Sequence, residues 1–288
     1  MIRAIRRFFI GSGYLEVETP NRIPAPAPEY HIDTIATGDW FLHPSPELCM
    51  KRLLASGYSR IFQICKCYRQ GERGNRHLPE FTLLEWYRVG IDYLQLMAEC
   101  EDMIRHVAED LGLGSIIPYA DDKIRLDIPW ERITLHDAFD RYSPWSLSES
   151  IGRDVFEETL VDHVEPRLGR TRPTFVYNYP LSMGALARAN TTDPTVAERF
   201  ELYMAGMEMA NAFSELTDET EQRHRFAEEE AYRRRMGKPP YPSPEPFLTT
   251  LDRMPESAGI ALGLDRLAMI VTGALRIDDI VAFTPENL

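Results

Sequence analysis

The chain has 288 residues, 44% hydrophobic and 27% charged, ordinary values for one large globular domain or two small ones. Thirty-two basic against 45 acidic side chains give a net charge of −13, which argues against a protein living on attraction to nucleic acid or an anionic membrane. The longest apolar stretches, such as residues 257–264, fall far short of the ~20 residues a membrane helix needs, and the first twenty residues carry no secretory core or cleavage site. The expectation is therefore a cytoplasmic protein, neither secreted nor membrane-spanning nor collagen-like. Cys49, Cys65, Cys67 and Cys100 are too few for a disulfide scaffold. Cys65 and Cys67, one residue apart, lack the two-residue gap and the second ligand pair of a zinc motif, and read as reduced core thiols.

In chain order, Ile2, Ile5 and Phe9 recur at helical spacing up to Gly11 and Gly13. The helix begins almost at Met1, so an upstream turn is expected to be missing. Residues 14–18 form a short strand, and Pro24, Pro26 and Pro28 mark an extended loop. Ser45 is placed as the N-cap of the next helix, with Pro46 at its first position and Gly57 just past its end. Residues 60–69 and 80–88 read as two strands joined by a glycine-containing loop. Asp92 caps a helix whose apolar stripe is Leu94, Met97, Cys100, Ile104, Val107 and Leu111, closed by Gly112.

Residues 114–172 are weakly patterned and read as an insertion with one or two helices. Residues 174–177 are a short buried strand, and 198–215 a strand or hairpin. Residues 219–236 form a charged, exposed helix with Glu221–Arg225, Glu229–Arg233 and Glu230–Arg234 pairs. A proline-rich connector follows, then an apolar strand over 258–263 leading into a helix near Leu264. Strands in hairpins with helices between them give an α+β class built on an antiparallel sheet flanked by helices.

Charge is uneven along the chain. Lys51, Arg52, Arg60, Lys66, Arg69, Arg73 and Arg76 are opposed only by Glu72, a local +6 that leaves −19 elsewhere. A solvated basic face is one reading; a site for a compact polyanion such as a nucleoside triphosphate is the sharper one. Along the strand at 80–88, alternation sets Phe81, Leu83, Glu85 and Tyr87 on one face and Thr82, Leu84 and Trp86 on the other. A carboxylate between two aromatics suits an organic cation, or pairs with an arginine across the sheet. Gly263 admits a ligand to the backbone, and Arg266 in the following helical turn favours an anion. Glu208 and Glu215 are candidate magnesium ligands, but seven residues apart they need a bulge or bend to share one ion.

These segments, in this order, resemble motifs 1, 2 and 3 of the class II aminoacyl-tRNA synthetases. Motif 1 is matched by a helix followed by residues 13–20, motif 2 by Tyr68, Arg69 and residues 77–82, and motif 3 by residues 263–267. Pro79 to Thr82 with Glu85, Trp86 and Tyr87, together with residues 213–216, is similar to the lysyl-tRNA synthetase branch. That branch carries an N-terminal anticodon-binding domain, which is not expected here because the motifs begin at the first helix. A single catalytic domain over 1–288 resembles instead the elongation factor P–(R)-β-lysine ligases, with which Trp86, Arg88 and Ala261 agree.

The resemblance implies ATP and Mg²⁺, a homodimer formed through motif 1, and Arg69 and Arg266 as the catalytic phosphate clamp. It implies ATP contacts at Arg69, Gln70, Gly71, His77, Leu78, Glu80, Phe81, Glu208, Met209, Gly263 and Arg266, with Phe81 stacking on adenine. Substrate contacts are implied at Ser45, Pro46, Glu47, Glu85, Tyr87, Glu215 and Ala261. Gly71 and Leu78 depart from the family's usual Glu and Asn. The implied acyl acceptor is a lysine of elongation factor P, with lysine or β-lysine as the activated amino acid and no tRNA expected. A tRNA-charging lysyl synthetase is the alternative. A non-catalytic paralogue is disfavoured because Arg69, Arg266, Glu208 and Glu215 are all present.

Overall fold

The computed structural model describes every residue except Ala185. Its elements run α1 (Ile2–Gly11), β1 (Leu15–Glu16), β2 (Arg22–Ile23), β3 (Ile35–Thr37), β4 (Trp40–Leu42), α2 (Glu47–Ala55), β5 (Arg60–Tyr68), β6 (Glu80–Val89) and α3 (Tyr93–Asp110). Then come β7 (Ile116–Tyr119), β8 (Asp122–Arg125), β9 (Glu131–Thr134), α4 (Leu135–Tyr142), α5 (Leu147–Gly152), α6 (Phe156–Thr159) and β10 (Thr174–Pro180). The chain closes with β11 (Val196–Met204), β12 (Met207–Ser214), α7 (Glu219–Arg235), α8 (Glu245–Leu248), β13 (Ser257–Gly263) and α9 (Leu264–Thr272).

Eight strands form the main sheet in the order β1-β5-β6-β13-β12-β11-β10-β9. Its centre is antiparallel, as expected, but both edge pairs, β1 with β5 and β9 with β10, are parallel, so the sheet is mixed. β9 comes from the segment expected to be an insertion. That segment also holds the β7–β8 hairpin and three α-helices, more than the one or two expected.

One face of the sheet is a dry core. Leu84 and Trp86 of β6 and Phe62 of β5 are fully buried there against Ile5 and Phe9 of α1 and Met97, Cys100 and Ile104 of α3. Each such side chain contributes roughly 1.5–3 kcal/mol. Asp92 does cap α3, through a reciprocal capping box with Gln95. The expected stripe is shifted at its ends: Leu94 and Leu111 are 44% and 38% exposed, while Leu96 and Met103 are fully buried.

Residue alternation leaves the other face of β5 and β6 for the site. Two further findings differ from the sequence reading. α2 starts at Glu47, one residue later than expected, although Ser45 Oγ still accepts the Glu47 N–H at 3.0 Å. α7 keeps the Glu221–Arg225 and Glu230–Arg234 pairs, but among the described residues Glu229 and Arg233 take other partners. Glu229 instead accepts the Tyr30 N–H at 3.0 Å, and Arg233 is fully buried, donating to the carbonyls of Glu29 and Ile32 and to Asp33. Through these contacts α7 anchors the proline-rich loop that carries Glu29. Among the described residues no helix is long and apolar enough to cross a membrane.

Candidate active site

A cavity of about 560 Å³ opens on the sheet face away from α1 and α3. Phe81, Leu83, Glu85 and Tyr87 of β6 all line it, as the alternation predicts. β12 contributes through an irregularity. Its pairing with β11 runs Leu202↔Ala210 and then Tyr203↔Glu208, so Met209 is one residue extra. This bulge brings Glu208 onto the same face as Asn211 and Phe213, and all three reach the cavity.

One end is cationic. Arg266, in the first turn of α9, donates to the Glu208 carbonyl at 2.7 Å and to His77 Nε2 at 2.6 Å. Burial, and then the Arg266 charge, hold His77 below its ordinary value, so the neutral ring can accept that bond. The Arg69 guanidinium lies 4.9 Å over the Phe81 ring, 3.6 Å from Glu72, with a buried Nε that has no partner. Free donors at the mouth of a cavity are what a phosphate fork needs. Arg69 covers one face of Phe81, so only the other is open for a base to stack on.

The opposite end is acidic. Glu85 is fully buried and accepts from Ser45 Oγ at 2.6 Å and from the Tyr87 hydroxyl at 2.9 Å. Burial, reinforced by Glu47, pushes Glu85 well above the usual carboxylate range. Lys51 sits behind the cavity, 2.5 Å from both Glu47 Oε1 and Glu215 Oε2. Burial opposes its charge, but Glu215 and Glu47 outweigh that and hold it above its ordinary value. Burial pushes Glu215 up to about 8 against the pull of Lys51. Lys51, assigned by sequence to the basic cluster, thus pairs with two of the three carboxylates expected to contact the substrate.

The basic cluster as a whole is dispersed. Arg69 and Arg76 reach the cavity, Arg73 pairs outside it with Asp278 and Glu286, and Arg60 donates to the Ser12 carbonyl. Of the residues expected at the site, Ser45, Glu47, His77, Leu78, Ala261 and Gly263 line the cavity along with those already described. Pro46, Gln70, Gly71, Glu80 and Glu215 do not. Gln70 donates its backbone N–H to the Asp33 carbonyl, and Glu80 is exposed, 4.0 Å from Lys66. Glu208 and Glu215 do not share a cluster either. Glu215 is held by Lys51, whereas the carboxylates acting on Glu208's surroundings are Glu165 and Glu201.

Three contributors escape sequence reading. Arg199 lines the cavity, bound to Asn211, Glu201 and the Met183 carbonyl at 3.0, 2.6 and 2.7 Å. The alternation of Arg199 and Glu201 along β11 was its available signal. Glu29 lines the cavity and is raised to about 7 by burial and by Glu47, with no signal in its loop. Gly259 is the third: a Cβ there would lie 2.2 Å from the Tyr87 ring and 2.4 Å from Glu215 Oε1. A glycine inside a buried strand was the available signal. At Gly263, by contrast, a Cβ meets nothing closer than Arg266 at 3.7 Å, so the fold itself does not demand glycine there.

The sequence matches the family described as tRNA synthetases class II (D, K and N) over residues 1–287. Among curated relatives, a protein of Edwardsiella ictaluri named elongation factor P–(R)-β-lysine ligase is 38% identical over all of this chain and 93% of its own length. Proteins of the same name from Pectobacterium carotovorum and Mannheimia succiniciproducens are each 39% identical, with the same coverage.

Proposed function

The chain belongs to the class II tRNA synthetase family, and on that premise we propose that it is an ATP-dependent ligase that activates (R)-β-lysine and transfers it to a lysine of elongation factor P. The observation that carries this reading is the polarity of one cavity, with Arg69 and Arg266 at one end and Glu85, the carboxylate that Lys51 leaves unpaired, at the other. A diammonium amino acid whose carboxylate points toward the arginines fits that polarity, whereas the side chain of aspartate would meet repulsion.

In the first step a carboxylate oxygen of the amino acid attacks the α-phosphorus of ATP, and the bond to pyrophosphate breaks. The attacking carboxylate is already ionised at neutral pH, so no general base is required. Arg69 and Arg266 offset the charge that builds on the phosphoryl oxygens, while Glu85, oriented by Ser45 and Tyr87, positions the substrate ammonium. In the second step the acceptor lysine amine attacks the acyl carbon and AMP leaves. Magnesium, when bound, would add further charge neutralisation on the phosphates, and Glu208, which lines the cavity, would offer it a hard oxygen donor.

Ala261 lines the cavity directly across from Glu85 in the β6–β13 register. Its methyl group favours a substrate with a displaced amino group, by about 1–3 kcal/mol. The test is ATP–pyrophosphate exchange with (R)-β-lysine, α-lysine, asparagine and aspartate, followed by transfer to elongation factor P or tRNA. Preference for β-lysine and transfer to the protein support the reading, as does a shift toward α-lysine in Ala261→Gly. Charging of tRNA with α-lysine would establish a lysyl-tRNA synthetase instead. The chain acts as one catalytic domain and as a homodimer through α1 and β1, where Ile2, Ile10 and Leu15 are exposed. Sedimentation as a 33 kDa species would refute the dimer.

A further inference from the structure

On the same sheet face as the cavity, beside its lining, lies a second cluster that the ligase chemistry does not use. Gln63, Cys65 and Cys67 share the inner face of β5, opposite Glu85, Leu83 and Phe81 of β6, all three of which line the cavity. The Cys65 and Cys67 sulfurs are 3.8 Å apart and not bonded. His43, two residues before Ser45, closes on them from the neighbouring segment, whose backbone pairs with Tyr68. One ligand atom from each of His43, Cys65 and Cys67 lies within 4.8 Å of the other two.

The histidine is set up as a ligand. Its Nε2 lies 2.8 Å from the Lys66 carbonyl, which can only accept, so Nε2 carries the proton. Nδ1 then holds a lone pair, yet it is buried without a partner in a residue that is 0% exposed. A backbone carbonyl fixing one imidazole nitrogen while the other faces two thiols is the outer-shell arrangement seen around bound metals. The sulfur spacing fits as well: tetrahedral coordination with Zn–S bonds of about 2.3 Å separates two sulfurs by about 3.8 Å. The same geometry sets about 3.6 Å between the imidazole nitrogen and each sulfur, and the three ligand atoms already lie within 4.8 Å of one another. Gln63, 1% exposed with both amide atoms unpartnered, is the candidate for the fourth ligand.

We propose that His43 Nδ1, Cys65 Sγ and Cys67 Sγ form a binding site for one thiophilic divalent cation of the zinc class. Two thiolates and a neutral imidazole balance the ion's charge, and sulfur ligation distinguishes this site from the oxygen donors around Glu208. An ion here ties the segment leading into Ser45 and Glu47 to the strand that ends at Arg69. It thereby joins segments that lead to the two ends of the cavity.

The test uses the full chain, fully reduced and stripped of metal, titrated with Co²⁺ as a spectroscopic probe and then with Zn²⁺. One equivalent of cobalt should produce sulfur-to-cobalt charge-transfer absorption, and zinc should abolish it. Cys65→Ser, Cys67→Ser and His43→Gln should each weaken binding by at least ~100-fold, since loss of outer-shell partners alone costs about 10–100-fold. Cys49→Ser should leave the spectrum unchanged. Zinc should also raise the melting temperature of the wild-type chain and not that of Cys65→Ser. Circular dichroism identifies any variant that fails to fold, and the wild-type titration stands without the variants. Four freely titrating thiols with no charge-transfer band at stoichiometric cobalt would overturn the proposal. So would an undiminished band in the folded Cys65→Ser or Cys67→Ser chain.

Discussion

Replacing Gly259 by alanine adds one methyl group where the structure has no room for it. The new Cβ would lie 2.2 and 2.3 Å from two carbons of the Tyr87 ring and 2.4 Å from Glu215 Oε1, where ordinary contact is 3.4–4 Å. Neither neighbour can yield easily. Tyr87 is 3% exposed and donates to Glu85, and Glu215 is 1% exposed and paired with Lys51. Overpacking of this kind costs about 1–3 kcal/mol. At about 2 kcal/mol, and 2–4 °C per kcal/mol for a chain of this size class, the melting temperature should fall by roughly 4–8 °C. The displaced Tyr87 also ceases to orient Glu85, so the KM for the amino acid in pyrophosphate exchange should rise by ~10-fold or more, while the KM for ATP changes little. Gly263→Ala is the control: its Cβ meets only Arg266, at 3.7 Å, so stability should hold while ATP binding suffers. A Gly259→Ala chain with wild-type melting and wild-type amino-acid KM would refute the packing argument.

Arg69→Ala and Arg266→Ala should each lower adenylate formation by at least ~100-fold, and pyrophosphate exchange surviving either change would remove that arginine from the clamp. Lys51→Met leaves Glu47 and Glu215 buried without a counter-charge and should cost about 3–5 kcal/mol in denaturant unfolding. Glu215→Gln in the same chain should recover part of that loss, so strictly additive costs would contradict the pairing. The pH dependence follows from carboxyls raised above their ordinary 4.5: Glu29 to about 7 by burial and Glu47, and Glu165 to about 7 by burial and Glu208. The folded state binds these protons more tightly than the unfolded one, so stability should fall as pH rises from about 4.5 to about 7. Glu29→Gln with Glu165→Gln should flatten that slope, and a stability curve that rises across this window would refute the assignment.

Much of the fold was legible in the sequence because its signals are local. The two-residue alternation of β6 separates Glu85 and Tyr87 from Leu84 and Trp86 in any sheet that buries one face. Asp92 with Gln95 is a helix start whatever packs against it, and the glycine and arginine at the end of β13 mark a strand-to-helix turn. The two arginines proposed as the clamp, the carboxylates proposed to meet a cation and the family resemblance all rest on such patterns. What escaped depends on partners distant in the chain. Lys51 lies in a basic run, yet its charge is spent on Glu215, 164 positions away, because burial beside a carboxylate outweighs any preference for solvent. Glu229 and Arg233 have ideal helical spacing, but the loop at 29–33 offers Arg233 two carbonyls and a carboxylate, more than one exposed pair provides. The bulge at Met209, the closure of Gly259 against Tyr87 and the approach of His43 to Cys65 and Cys67 are all matters of register and packing between strands. Local pattern assigns a face to each residue of a regular strand such as β6, but not across the bulge that turns Glu208 toward the cavity. Which charges are paired and which stay open to a substrate follows from the packing of distant segments, because pairing depends on the low-dielectric contacts made when they close on one another.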